Sequence, residues 1–309
     1  MTSAPKSDLP PLVLRRAALQ QGYVDDEIAR LRRRGDWVTL QRGAYVEGDL
    51  PTERRARHLL AVRATLAGLR APAVVSHASA AALHGLPLWN VPLQRVHITR
   101  RPPARSDEGA RLRSHVARLG PDDVVAVGDV LATSPARTVV DLARQLPFAP
   151  ALAIADAALH ARLATHDVLR TSLEAAAGIP GARAARRVVD AADGRSESVG
   201  ESRSRAVLIQ LGLPMPDLQV EVRGPDGELI GRCDFGWDDA RLLGEFDGLI
   251  KYGRLLRPGE QPGDDVVREK RREDALRDEN WGMVRWIWRE LDAPAALGRR
   301  IQRRLAAAG

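Results

Sequence analysis

From Val199 onward the apolar residues switch between two spacings, and that switching constrains the fold more than any other feature of the chain. Ala206, Leu208, Ile209 and Leu211 form the apolar set of a helix that stops at Gly212. Leu218, Val220 and Val222 then alternate up to the turn "GPDGE", and "GRCDFGW" and "RLLGEFDG" continue the strand pattern. Residues 264–280 return to a charged, amphipathic helical pattern, and "MVRWIWREL" is a further strand leading into a last helix. A spacing near 3.6 marks a helix and a spacing of two marks a half-buried strand. The predicted order is α-β-β-β-α-β-α, a mixed sheet that helices must cover.

Carboxylates are set into these strands. Side chains on a strand alternate between its faces. Glu245 and Asp247 therefore share one face, and Leu242, Gly244 and Phe246 the other. On the preceding strand Cys233, Phe235 and Trp237 form an apolar face, so Asp234 points away from it. If the two strands pair, three carboxylates converge. Such a cluster is costly without a cation, and carboxylate oxygens suit Mg²⁺ or Mn²⁺. An ion held there activates water and offsets charge on a leaving oxygen. The structural alternative is that Glu245 and Asp247 pair with arginines, while Asp238 and Asp239 belong to an exposed turn. Glu201, in the first turn of its helix, would then only favour the helix N-terminus.

The front of the chain reads differently. Residues 1–11 are polar and proline-rich, the pattern of a disordered lead. Leu12, Leu14 and Leu19 predict a short helix ending at Gly22. "VDDEIARLRRRG" carries acids in its first turn, arginines in its last and a terminal glycine, good dipole and capping chemistry. "DWVTLQRGAYVE" alternates on both sides of Arg42-Gly43 and predicts a β-hairpin. Two helices and a hairpin over 12–50 predict a winged helix-turn-helix, with Arg32, Arg33, Arg34 and Arg42 as its DNA contacts. Residues 53–193 predict a small α/β domain that ends in Ala-rich helices, and "DGRSES" marks the boundary before a domain over 197–309. The predicted fold class is multidomain α/β.

Composition narrows the partners. The net charge is +7 and the pI about 10.3, a balance that favours an anionic partner such as nucleic acid. Of 47 basic residues only Lys6, Lys251 and Lys270 are lysine, so arginine-rich coding explains part of the charge. Cys233 is the one cysteine, which excludes an internal disulfide and a cysteine-based zinc site. No apolar run approaches the roughly 18 residues of a membrane helix. The N-terminus lacks the apolar core of a signal peptide, and a cytoplasmic location is expected. His77 and His84 lie seven apart, whereas helical metal pairs use a spacing of four. No third ligand stands near them in sequence, so both are expected to be structural.

Two families share these patterns. "LQRGAYV", "VVSHASAAALHGLP", "VHIT" and "TSPARTVVDLAR" occur in order over the front half and together resemble the AbiEi family of antitoxin-like proteins. That resemblance implies a winged helix that binds operator DNA, and a cognate toxin as partner. Over roughly 197–292, "GESRSR", "CDFGW", "EFDG", "KYGR" and "EKRREDALR" resemble the PD-(D/E)XK nuclease superfamily, nearest to very-short-patch-repair endonucleases. This second resemblance implies a restriction-endonuclease-like domain whose metal ligands are Glu201, Asp234 and Glu245. The superfamily's lysine two residues after the acid is Asp247 here. Lys251 or Lys270 would then supply the basic group, since lysine hands over protons more readily than arginine.

Two functions follow as expectations. The first is a DNA-binding, Mg²⁺-dependent endonuclease with Glu201, Asp234, Glu245, Asp247, Lys251 and Lys270 at its centre. The second is an antitoxin-like transcriptional autoregulator whose nuclease fold is inactive.

Overall fold

A computed structural model describes residues 9–69, 71–248 and 262–307. The chain forms two compact units, and they do not follow chain order. The first comprises residues up to Leu146 together with Leu163–Val189; the second comprises Pro147–Arg162 and everything from Asp190.

The first unit opens with β1 (Leu12–Leu14), α1 (Arg15–Gln20), α2 (Asp25–Arg34), β2 (Trp37–Gln41) and β3 (Ala44–Glu47). The helix expected from Leu12 is thus corrected to a strand followed by a helix. β1 pairs antiparallel with β3, in the order β1-β3-β2, so Leu12 and Leu14 serve a sheet rather than a helix face. α2 has the predicted ends: Asp25, Asp26 and Glu27 lead it, and Gly35 closes it at φ 84°. Ala18, Ile28, Trp37 and Tyr45 form the small core here, with Trp37 stacked on Tyr45 at 5.8 Å.

The chain continues through α3 (Arg54–Gly68), β4 (Val74–Val75), α4 (His77–Leu83), β5 (Val96–Arg100), β6 (Asp107–Glu108), β7 (Leu112–Val116), β8 (Val124–Val127), β9 (Val130–Thr133) and α5 (Pro135–Ala143). The strands make a mixed sheet in the order β6-β7-β5-β4-β9-β8. Val62, Val75, Ala80, Val96, Ile98, Val130 and Ala132 form its core. Ser134 caps α5 by accepting the Arg137 N–H, and Pro135 sits where its missing N–H costs nothing.

Next come α6 (Phe148–His160), α7 (His166–Ala175) and α8 (Ala182–Ala191). α6 lies in the stretch read above as middle domain, yet it belongs to the second unit. Alanine-rich periodicity shows that a helix is buried without showing in which core. α6 packs on α9 (Val199–Gln210), where the buried Asp156 carboxylate accepts from Arg205 at 2.6 Å. The order then runs β10 (Asp217–Arg223), β11 (Leu229–Trp237), β12 (Leu242–Asp247), α10 (Pro262–Asp278), β13 (Gly282–Ile287), α11 (Trp288–Leu291) and α12 (Pro294–Ala306). The sheet order is β10-β11-β12-β13, antiparallel except for the parallel β12–β13 pair.

This sheet is buried on both faces. Leu242 and Phe246 join Phe235, Trp237, Val284 and Trp286 against residues of α9 and α12. Leu243, one position along and so on the opposite face, joins Val222, Cys233 and Leu276 of α10. Phe235 and Cys233 therefore fall in different clusters, which corrects the single apolar face expected for β11. Leu218 and Val220 on β10 split in the same way. Between them Gln219 takes a φ of 56°, and the regular alternation of the strand pair breaks at that point. No described helix is long and apolar enough to cross a membrane.

Candidate functional site

The register of β11 and β12 pairs Phe235 with Gly244, Gly236 with Leu243 and Trp237 with Leu242. Asp234 and Glu245 each lie one residue beyond the Phe235–Gly244 pair. The Asp234 carboxylate accepts the Phe246 backbone N–H at 2.8 Å, so a side chain takes the place of a strand carbonyl there. Two of the sequence-predicted acids are thus neighbours on adjacent strands.

Glu245 faces α10, and both of its oxygens are engaged. Oε1 accepts from Arg272 Nη2 at 2.5 Å and Oε2 from Arg285 Nε at 2.8 Å. Burial alone would push its carboxyl up, but Arg272 and Arg285 hold it below the usual carboxylate range. Burial would lower the Arg272 guanidinium, yet Glu245 raises it above the ordinary arginine value. Arg285 also meets Glu269, and meets Glu273 at 3.4 Å. Arg272 meets Glu269 at 3.2 Å as well. Glu269, Arg272, Glu273 and Leu276 fall at helical spacing, and this is the stripe by which α10 lies on the sheet. Arg272 also touches Cys233 Sγ at 3.2 Å, and burial pushes that thiol up to about 12. Gly231 makes room for Arg272, since a Cβ there would stand 2.5 Å from its Nε.

The structural alternative foresaw arginine partners for Glu245 without naming them, and the basic group of the expected nuclease centre was Lys251 or Lys270. Lys251 lies outside the described residues. Lys270 is exposed and off the stripe that faces Glu245, so the described basic partners of Glu245 are Arg272 and Arg285. The signal for Arg272 was available, as its spacing from Glu269, Glu273 and Leu276 sets it on the sheet-facing side of the helix.

Glu201 is buried and held by local chemistry. Ser198 caps α9 by accepting the Glu201 N–H. The Glu201 carboxylate accepts the Glu197 N–H and the Gln219 amide, each at 2.9 Å. It acts as the helix-terminus acid foreseen in the structural alternative. Gln219, which stands across the β10–β11 ladder from Asp234, is the residue that connects Glu201 to the strands. Gly200 allows α9 to approach, because a Cβ there would lie 1.9 Å from the Phe246 ring. Asp247, half-buried, ends β12 beside Ile287.

Among the described residues, the three-ligand group whose donor atoms lie within 4.8 Å of one another is His77, His97 and His115, not a carboxylate trio. His77 does not pair with His84, which instead contacts the Thr133 carbonyl at 2.7 Å. The other two histidines come from strands distant in sequence, which explains why spacing did not find them.

In the first unit, Arg32, Arg33, Arg34 and Arg42 are all exposed. Arg32 rests on the hairpin, with its Nε 3.1 Å from Thr39 Oγ1 and its guanidinium over the Tyr45 ring. Arg34 meets Asp36 at 3.2 Å. Arg15, Arg16, Arg42 and Arg111 line a broad basin of about 920 Å³ between the small sheet and α3.

An uncharacterized protein from Mycobacterium tuberculosis, Rv2248, is 34% identical over 238 residues, covering 75% of this chain and 81% of its own. The chain belongs to the family of that protein. The counterpart from a second strain, MT2308, matches equally. Residues 72–191 match the family described as AbiEi antitoxin C-terminal domain. The crystal structure of the RV2827C protein from Mycobacterium tuberculosis is similar at 20% identity, with a TM-score of 0.40 over 71% of this chain and 85% of its own.

Proposed function

We propose that the chain is an antitoxin-like, DNA-binding transcriptional regulator. The observation that carries this reading is the match of residues 72–191 to the AbiEi antitoxin domain. The exposed arginines support it. α2 and the β2–β3 hairpin would act as a winged helix-turn-helix, with Arg32, Arg33 and Arg34 closing the helix and Arg42 at the hairpin turn. A helix of this kind enters the major groove while the hairpin meets the backbone. Its cognate toxin would be a further partner, and co-purification with the product of an adjacent gene tests for one.

In this reading the sheet β10–β13 is a nuclease-like scaffold that performs no hydrolysis. The arginine clamp on Glu245 supports that view, because a carboxylate with both oxygens engaged is poorly placed to take Mg²⁺. A second reading, a PD-(D/E)XK endonuclease, is favoured by one observation: the Asp234 carboxylate reaches β12 next to Glu245, accepting the Phe246 N–H. Glu201, Asp234 and Glu245 would then hold Mg²⁺ or Mn²⁺ after Glu245 left its arginines.

One experiment separates the two. Wild-type protein, Asp234→Ala and Glu245→Ala are incubated with plasmid and Mg²⁺, Mn²⁺ or EDTA, and promoter binding is measured in parallel. Binding without cleavage by any form is the expected result. Metal-dependent nicking that both substitutions abolish would replace the first reading with the second. No binding at low salt would remove the premise of both, since phosphate contacts dominate affinity there.

A further inference from the structure

His77, His97 and His115 arrive from three elements of the first unit. His97 lies on β5 and His115 on β7, which pair in parallel with His97 opposite Arg113 and Thr99 opposite His115. Residues two apart on a strand share a face, so both imidazoles project from the same side of the sheet. His77 is the first residue of α4, directly after β4. Its ring stacks on that of His115 with centroids 3.8 Å apart, and His97 Nδ1 lies 3.0 Å from His115 Nε2.

The backbone is bent to bring His77 there. Its φ is 51°, in the left-handed region that a buried, non-glycine residue rarely adopts. Such a conformation persists only where its surroundings hold it, and it clusters at functional sites. Both ring nitrogens have neighbours: Nδ1 lies 3.0 Å from Ser76 Oγ and Nε2 lies 3.1 Å from Gln145 Nε2. Ser76 would fix the tautomer and orientation of a metal-ligating His77 through Nδ1, and the ion would take the Nε2 position that Gln145 now holds. A further buried group stands alongside. Thr99, in register with His115 and on the same face, is 1% exposed, and its hydroxyl has no hydrogen-bond partner among the described residues.

Burial, then His115, lowers His97 to about 3; burial, then Arg113, lowers His115 to about 4. Burial, then the other two histidines, sets His77 well below the ordinary value. The group is accessible as well. His97 and Gln145 line a cavity of about 470 Å³, together with Gln94, Arg95 and Arg113.

We propose that His77, His97 and His115 form a site for a divalent transition metal, Zn²⁺ foremost, with its fourth position open to the cavity beside His97. Three imidazoles without a thiolate or carboxylate select zinc, copper, nickel or cobalt over magnesium or calcium. Three protein ligands plus one exchangeable position is the arrangement of zinc sites that bind a water or small ligand. Zn–N distances near 2.0 Å set tetrahedral donor atoms about 3.3 Å apart. Ring rotations that close the present 4.8 Å envelope by about an ångström or two reach that spacing. A water or anion in the fourth position would meet Arg95 and Arg113. Because the ligands come from the start of α4, from β5 and from β7, the ion would tie helix to sheet.

The test uses the full chain, freed of any affinity tag, titrated with Co²⁺ and followed by visible absorption. One equivalent per chain, with the bands of a four- or five-coordinate ion, is expected for wild type. Zn²⁺ should displace it, and Tm should rise with Zn²⁺ concentration. His97→Gln and His115→Gln should each lose the band while keeping the wild-type far-UV circular dichroism. A wild type that takes up no cobalt, or a band that survives in both variants, would overturn the site. Should either variant fail to fold, histidine-selective NMR of the wild type with Zn²⁺ decides. Shifts confined to three of the seven histidines, assigned to 77, 97 and 115, support the site, and any other pattern overturns it.

Discussion

Arg272 reaches from α10 across β11 to place its Nη2 2.5 Å from Glu245 Oε1. With Arg285 on the other oxygen, this contact makes Glu245 the centre of an ion-pair network of Glu245, Glu269, Glu273 and two arginines. Glu245→Ala would leave both guanidiniums without their most buried partner. We expect a loss of roughly 1.5–3 kcal/mol, the range for hydrogen bonds to charged groups, read from urea denaturation. A loss below half a kilocalorie would show that the network is a solvated surface feature.

Gly200→Ala should destabilise the second unit. Helix propensity alone would favour alanine by up to about 1 kcal/mol. Its Cβ, however, would fall 1.9 Å from the Phe246 ring, inside van der Waals contact. Overpacking of this kind costs about 1–3 kcal/mol or more, so the net sign is a loss. A variant as stable as wild type would mean that α9 shifts freely on the sheet.

Asp156 supplies a pH dependence. Burial pushes its carboxyl up to about 6, although Arg205 lies 2.6 Å away and the Asp193 N–H donates to it. A carboxyl with a raised folded-state pKa binds extra protons in the native protein. Its contribution to stability is therefore fully present below about pH 4 and is lost as the pH rises through about 6. Arg205→Met removes the counter-charge and should cost about 3–5 kcal/mol at pH 7. The cost should shrink at pH 5, where a protonated Asp156 no longer needs a cation. Denaturant melts at the two pH values check this, and an equal loss at both would refute it.

Arg33→Ala and Arg42→Ala should weaken promoter binding across all sequences rather than at one base. Each lost phosphate contact lowers the slope of log affinity against log salt by about 0.9. An electrophoretic mobility series in salt measures it, and an unchanged slope would place the DNA surface elsewhere.

The elements of the second unit were legible because period-two and period-3.6 patterns follow one another cleanly from Val199 to Leu291. The hairpin of β2 and β3 was legible from Arg42-Gly43. Leu12 and Leu14 misled, because three residues cannot distinguish a helix turn from a strand. The pleat break at Gln219 was invisible, since nothing in "LQVEV" signals a left-handed residue. The histidine group was also out of reach: His77, His97 and His115 are 20 and 18 positions apart, and only the order β7-β5-β4 brings them together. For the acids, pairing of Glu245 with arginines was open in the sequence but the identity of Arg272 and Arg285 was not, and the break in alternation between Cys233 and Phe235 made the orientation of Asp234 unreadable.

The chain passes from the first unit to the second at Pro147, returns at Leu163 and leaves again at Asp190. The two units are therefore interleaved along the gene. A recombination point between α6 and α9, or a fragment that stops at Ala191, would carry α6 away from α9 and leave Asp156 without Arg205. Inheritance of one unit without the other would need three exchanges at once, one at each crossing, so the pair should travel through evolution as one indivisible module.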